Sequence, residues 1–133
     1  MKKSIAAIAC LTLLPCASAL AAWQEIGANE QSTVSLDIDT LKRDSDKAQI
    51  MSMLDFKMPG VDPQSKEQIR SIIGLNEYLC GKAQYRPIEY KVFSGNKGEG
   101  KVVADVKSPD SPFEAITNGS WAAGVYSIAC RAK

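Results

Sequence analysis

The chain has 133 residues, with 45% hydrophobic and 23% charged content and a formal net charge of +1. This size and composition indicate one globular domain and exclude a multi-domain enzyme, a collagen-like chain and a disordered tail protein. The absence of histidine excludes Ser-His-Asp and Cys-His nucleophile systems, together with every zinc site that needs an imidazole ligand.

The first 22 residues have the pattern of a cleaved secretory signal peptide. Two lysines precede an apolar run from Ile5 to Leu14, and Ala19-Leu20-Ala21 fits an A-x-A cleavage site. No stretch of the chain reaches the roughly 20 apolar residues that a membrane span needs. We therefore expect an exported mature domain of residues 23–133. Its net charge is close to neutral, and no nucleic-acid partner is expected.

The four cysteines divide into two pairs. Cys10 and Cys16 lie in the predicted leader, where Pro15 before Cys16 does not fit a lipidation motif, so no lipid anchor is expected. Cys80 and Cys130 remain in the mature domain and are expected to form a disulfide in an oxidising compartment. A redox pair is the alternative, but it normally has C-x-x-C spacing, which neither cysteine has.

Alternation of apolar and polar residues predicts a mostly antiparallel sheet. The predicted strands cover residues 23–28, 33–38, 48–58, 66–80, 88–92 and 101–106. Residues 39–46 are predicted to be a polar connector in which Leu41 anchors a turn. Pro59-Gly60 marks a loop, and the glycine-rich stretch 95–100 a hairpin loop. The segment 66–80 also has isoleucines at helical spacing, but a strand is favoured.

The last quarter of the chain carries two helix-start patterns. Ser111-Pro112-Phe113-Glu114 predicts a short helical turn, because serine caps, proline suits the first helical position and glutamate follows three residues later. Ser120 is predicted to cap a longer helix over residues 121–130. The expected fold class is α+β, with about six antiparallel strands, a C-terminal helix on one sheet face and one disulfide.

Tyr85, Arg86 and Phe93 form a candidate protein-contact site. Aromatic residues and arginine are enriched at protein interfaces. Strand alternation places Tyr85 and Phe93 together, on the face opposite Tyr90. Ordinary packing within the domain is the alternative, and the two tryptophans are expected to be core anchors.

Other motifs predict no catalytic, cofactor or metal site. The aspartates between positions 37 and 46 lack the glycine and terminal glutamate of an EF-hand, so solvated turn acids are favoured over a calcium site. The G-x4-G-K pattern at 95–101 lacks both the Ser/Thr and the following helix of a phosphate loop. No carboxylate pair or activated nucleophile stands out, so a non-enzymatic protein is expected.

The features above together resemble the surface-adhesin protein E family of Gram-negative bacteria. The resemblance lies in the leader, the first strand opening with Trp23, the Leu36-Asp37 strand end, Cys80 closing a middle strand, and the Asn118-Gly119-Ser120 helix start that leads to Cys130. It implies a small sheet with a packed helix, an exported protein, a homodimer as one option, and binding to host extracellular-matrix or plasma proteins. A periplasmic accessory or inhibitor domain acting on an envelope protein is the alternative, since no anchor for surface display is visible.

Overall fold

The strands form one antiparallel sheet in which each of the first six strands pairs with its neighbour along the chain. The computed structural model describes residues 22–131, so the predicted signal peptide lies outside them except for its last residue. The elements are β1 (Trp23–Ala28), β2 (Ser32–Asp44), β3 (Lys47–Val61), β4 (Gln68–Leu79), β5 (Gln84–Phe93), β6 (Val102–Lys107), β7 (Glu114–Ala115) and the helix α1 (Trp121–Ala129). The sheet order is β1-β2-β3-β4-β5-β6, and the two-residue β7 pairs with the start of β5. The predicted α+β fold of six strands and a C-terminal helix is confirmed.

Strand β2 is longer than predicted, because residues 39–44 continue the strand where a polar connector was expected, and only residues 45–46 form a turn. The pairing of β2 with β3 is irregular between Asp37 and Lys42, yet the strand continues to Asp44. The Thr40 hydroxyl bridges this irregularity, because it donates to Asp37 O at 2.6 Å and accepts the Met51 N–H at 2.9 Å. Leu41 packs against the core instead of sitting in a turn.

The ambiguous segment 66–80 is a strand, and its helical alternative is wrong. Strand β4 lies inside the sheet, where it pairs with β3 on one side and β5 on the other. Both edges of its backbone are therefore hydrogen-bonded within the sheet, which outweighs the helical spacing of its isoleucines. The neighbouring β3 also continues through Pro59 and Gly60 to Val61, where a loop was predicted.

The predicted helical turn at residues 111–114 is wrong. The Ser111 hydroxyl, which would cap such a turn, instead donates to Pro87 O at 2.8 Å. The guanidinium of Arg86 lies 4.3 Å from the centre of the Phe113 ring, and Glu114 begins β7. These contacts hold the segment extended along the edge of β5.

Helix α1 begins where the sequence predicts. The Ser120 side chain accepts the Ala123 N–H at 3.2 Å and so caps the first turn. The helix packs on one face of the sheet, hereafter the helix face, where Val125 and Ala129 are fully buried. The sheet residues of this core are Val34, Leu36, Ala48, Ile50 and Tyr78.

The predicted disulfide joins Cys80, directly after β4, to Cys130, directly after α1. The two Cα atoms are 5.4 Å apart across a sequence separation of 50 residues. The Tyr126 hydroxyl donates to Cys80 O, which adds a hydrogen bond at the same junction. The end of the helix is thus fixed to the middle of the sheet by one covalent and one polar contact.

Replacing Tyr78 with phenylalanine is expected to stabilise the domain. Tyr78 is fully buried, its hydroxyl has no hydrogen-bond partner among residues 22–131, and burial raises the pKa of that hydroxyl far above its usual range. Tyr78→Phe removes this unpaired polar group and should raise the free energy of unfolding by about 1 kcal/mol. Urea denaturation monitored by circular dichroism measures the change.

Tyr126→Phe is the matched control, because its hydroxyl does have an acceptor in Cys80 O. This second variant should lose about 1 kcal/mol. A loss of stability in Tyr78→Phe as large as that in Tyr126→Phe would contradict the prediction.

Candidate functional site

Helix α1 covers only part of the helix face. Its nine residues span about 13 Å at a rise of 1.5 Å per residue. Strands β3 and β4, with 15 and 12 residues, extend roughly 40 to 50 Å. Beyond the helix N-terminus the face remains open and forms a cavity of about 340 Å³, hereafter the helix-side groove.

The middle of the groove has no side chain because Gly74 lies there. A Cβ atom at this position would stand 2.8 Å from Tyr90 Cβ and 2.9 Å from Glu89 O on the paired strand β5. Such distances are too short for any larger residue without a backbone shift. The groove therefore depends on close approach of β4 and β5 at this one glycine.

Two buried polar side chains lie beside Gly74 in an otherwise largely apolar lining. Ser52 is 4% exposed and Asn76 is 6% exposed, and both line the groove. Asn76 Nδ2 donates to Ser52 Oγ at 3.1 Å. Within residues 22–131 neither side chain has another hydrogen-bond partner, so Asn76 Oδ1 is a free acceptor at the inner end of the groove.

Aromatic rings form the walls of the groove. The rings of Tyr85 and Trp121 meet at 80° with their centres 5.6 Å apart, which makes a right-angled corner. Tyr90 is a further aromatic residue in the lining, while Leu54 and Ile72 supply aliphatic surface.

One carboxylate lies at the rim of the groove. Glu114 of β7 is exposed and pairs in register with Tyr85 of β5. Burial raises the pKa of the Tyr85 hydroxyl, and the negative charge of Glu114 raises it further. Among residues 22–131, Glu114 is the only charged residue that lines the groove, and no lysine or arginine of that range is part of the lining. The groove thus combines an aromatic corner, a buried acceptor and one negative charge.

The opposite sheet face carries a second cavity, of about 310 Å³. Met51, Ile73 and Phe93 give it an apolar base. Its charged residues are two acids and two bases that face each other across β5 and β6, as Glu89 with Lys107 and Lys91 with Asp105. Because the two signs are balanced, this cavity selects no ligand charge.

The structure separates the three residues of the predicted contact site. Tyr85 lies on the helix face, in the groove wall, whereas Arg86 and Phe93 lie on the opposite face. The predicted common face for Tyr85 and Phe93 is wrong, because a bulge at Ile88 shifts the alternation of β5 by one residue. The three side chains do not form one patch, and their role in protein contact stays a prediction.

Arg86 is held by an ion pair within the sheet. Its Nη2 and Nε atoms donate to Glu77 Oε1 at 2.9 and 3.2 Å, while Gln49 Nε2 donates to the other carboxylate oxygen at 2.7 Å. Glu77 is only 6% exposed. The guanidinium is therefore engaged by the domain's own residues.

Sequence reasoning missed most of the groove. Trp121 was expected to be a core anchor, and Glu114 was expected to belong to a helical turn. Ser52 and Asn76 carried no signal that distinguished them from other polar residues. Within residues 22–131 no cluster of three potential metal ligands occurs, and no helix there has the length and apolar character to cross a membrane.

Comparison with known proteins identifies relatives of this chain. A family model described as "Surface-adhesin protein E" matches residues 23–131. Crystal form II of Haemophilus influenzae protein E has a TM-score of 0.62 at 15% identity, with 90% of this chain and 94% of that chain covered. Protein E from non-typeable Haemophilus influenzae gives 0.58 at 15%, with 90% and 82% covered. At this identity the structural likeness concerns the fold, and no curated protein sequence matches significantly.

Proposed function

This chain belongs to the surface-adhesin protein E family, and we propose that it is an exported, non-enzymatic protein that binds host extracellular-matrix or plasma proteins. The observation that carries the proposal is the family match over residues 23–131, which is nearly the whole expected mature domain. The protein E fold of the relatives supports it, as does the leader pattern of residues 1–22.

A binding assay with the oxidised mature domain, residues 23–133, tests this proposal. We expect saturable binding to at least one member of a panel of purified matrix and plasma proteins immobilised for surface plasmon resonance. The same domain, reduced and alkylated at Cys80 and Cys130, is the matched control and should bind less, because α1 loses its covalent attachment to the sheet.

Absence of binding to the whole panel, together with retention of the protein in the periplasm, would contradict the adhesin proposal. Capture of an envelope protein from the same cell would then favour the accessory or inhibitor function.

The homodimer option is tested by the molar mass of the mature domain, since light scattering after size exclusion separates one copy from two. The exposed edges of β1 and β6 are the strands through which a second copy could extend the sheet.

A further inference from the structure

We infer that the helix-side groove binds a cationic side chain, lysine or arginine, of a protein partner. The inference rests on the proposed function in taking the partner to be a protein. It adds to that function the site on this chain and the chemistry that the site recognises. Three features of the groove support it, namely its aromatic corner, its charge and its buried acceptor.

The aromatic corner suits a cation. Tyr85 and Trp121 stand at 80° with ring centres 5.6 Å apart, and both residues line the groove. Organic cations are attracted to aromatic faces, with tryptophan the strongest, by about 0.5 to 2 kcal/mol. Tyr90 extends the aromatic surface along the groove.

The charge of the lining favours the same ligand class. Glu114 at the rim is negative, and none of the lysines and arginines in the described part of the chain belongs to the lining. An anionic group would be repelled by this carboxylate. A cation is attracted both by Glu114 and by the rings, so the two effects add.

The inner end of the groove offers a hydrogen-bond acceptor. Asn76 Oδ1 lies on a side chain that is 94% buried and whose amide nitrogen is already engaged with Ser52. Lysine and arginine head groups are donors without acceptors, so they match this atom. Leu54 and Ile72 provide aliphatic surface for the stem of a long side chain.

The size of the groove points to one side chain, not to a large ligand. Its volume of about 340 Å³ is at the lower end of ligand pockets, which run from roughly 300 to 1,000 Å³. A protein partner would therefore insert a single anchor residue, while its other contacts lie outside the groove.

Titration of the ¹⁵N-labelled, oxidised mature domain with Nα-acetyl-lysine N-methylamide tests the inference. The chain has two tryptophans, and only Trp121 lines the groove, while Trp23 pairs with Asp37 away from it. We expect the indole N–H signal of Trp121 to shift saturably and that of Trp23 to stay in place. The arginine analogue should behave alike, and the uncharged norleucine analogue should bind about 10-fold more weakly.

Glu114→Gln is the informative variant, because Glu114 is exposed and the substitution keeps its shape. We expect it to weaken binding of the lysine probe about 5-fold or more, with an otherwise unchanged NMR spectrum. Glu89→Gln, which removes a carboxylate from the opposite cavity, is the matched control and should bind like the wild type.

Three outcomes would each overturn the inference. The lysine and norleucine probes could bind equally, Glu114→Gln could keep its affinity for the lysine probe, or phosphocholine could bind more tightly than either cationic probe. The host-protein assay separates it from the proposed function. If Glu114→Gln binds host proteins as well as the wild type does, the inferred cation site is contradicted and the proposed function is not. If the domain binds the lysine probe but no host protein, the proposed function is contradicted and the cation site is supported.

Discussion

Replacing both Cys80 and Cys130 with alanine is expected to lower the free energy of unfolding by about 4 kcal/mol. The bridge spans 50 residues of sequence, so in its absence the unfolded chain gains the conformational freedom of a loop of that length. A loss of this size is a large fraction of the 5 to 15 kcal/mol that small domains have in total. Urea denaturation of the oxidised wild type and of the double variant measures it directly.

The reduced wild type is the internal control for this prediction. It keeps both sulfur atoms and lacks only the bond, so its stability should match that of the double variant. The amide protons of α1 should exchange faster in both, because the bridge fixes the end of α1 to the end of β4. A reduced protein as stable as the oxidised one would show that the bridge contributes little.

Arg86→Leu is expected to destabilise the domain by about 3 kcal/mol at neutral pH, since it leaves a buried carboxylate without its charged partner. Glu77 is 6% exposed and accepts two hydrogen bonds from Arg86. The substitution also removes the guanidinium from the face of Phe113. Chemical denaturation at pH 7 gives the change in unfolding free energy.

The loss caused by Arg86→Leu should become smaller in acid. Burial raises the pKa of Glu77, but hydrogen bonds from Gln49 and Arg86 and the positive charges of Arg86 and Lys47 outweigh it, so the net pKa is lowered. The ion pair therefore stabilises the fold above the ordinary pKa of a glutamate, about 4.3, and this contribution disappears as the pH falls through the lowered value. Measurements at pH 7 and pH 3 should show the difference.

Lys101→Met is the matched control, because Lys101 pairs with Glu67 at the surface and its side chain is 65% exposed. Such a pair contributes about 0.5 kcal/mol or less. An equal effect of Lys101→Met and Arg86→Leu, or an effect of Arg86→Leu that does not change with pH, would show that burial of Glu77 is not the cause.

Local patterns in the sequence determined the main elements of this fold. The alternation of β4 was correctly favoured over its helical spacing, and the Ser120 cap marked the start of α1 because a capping hydroxyl acts within three residues. The disulfide followed from having two cysteines in the expected mature domain, since an even pair in an exported chain forms a bond. These predictions depend on interactions that are close in sequence or independent of register.

Register and long-range contacts decided the rest. The bulge at Ile88 moved Phe93 to the face opposite Tyr85, and the hydrogen bond from Ser111 to Pro87 O replaced a predicted helix cap. The alternation of apolar and polar residues predicted neither event. A bulge reverses the sheet face of every later residue in the strand, and a hydroxyl finds its hydrogen-bond partner only in the folded chain.

The helix-side groove depends on tertiary structure alone. It exists because a nine-residue helix covers a longer sheet, and because β4 and β5 approach closely at Gly74. Its lining comes from strands β3, β4, β5 and β7 and from α1, which are far apart in sequence. Local sequence patterns thus predicted most strands, helix α1 and the disulfide. The uncovered area of the sheet, and the side chains that meet there, follow from how these elements pack.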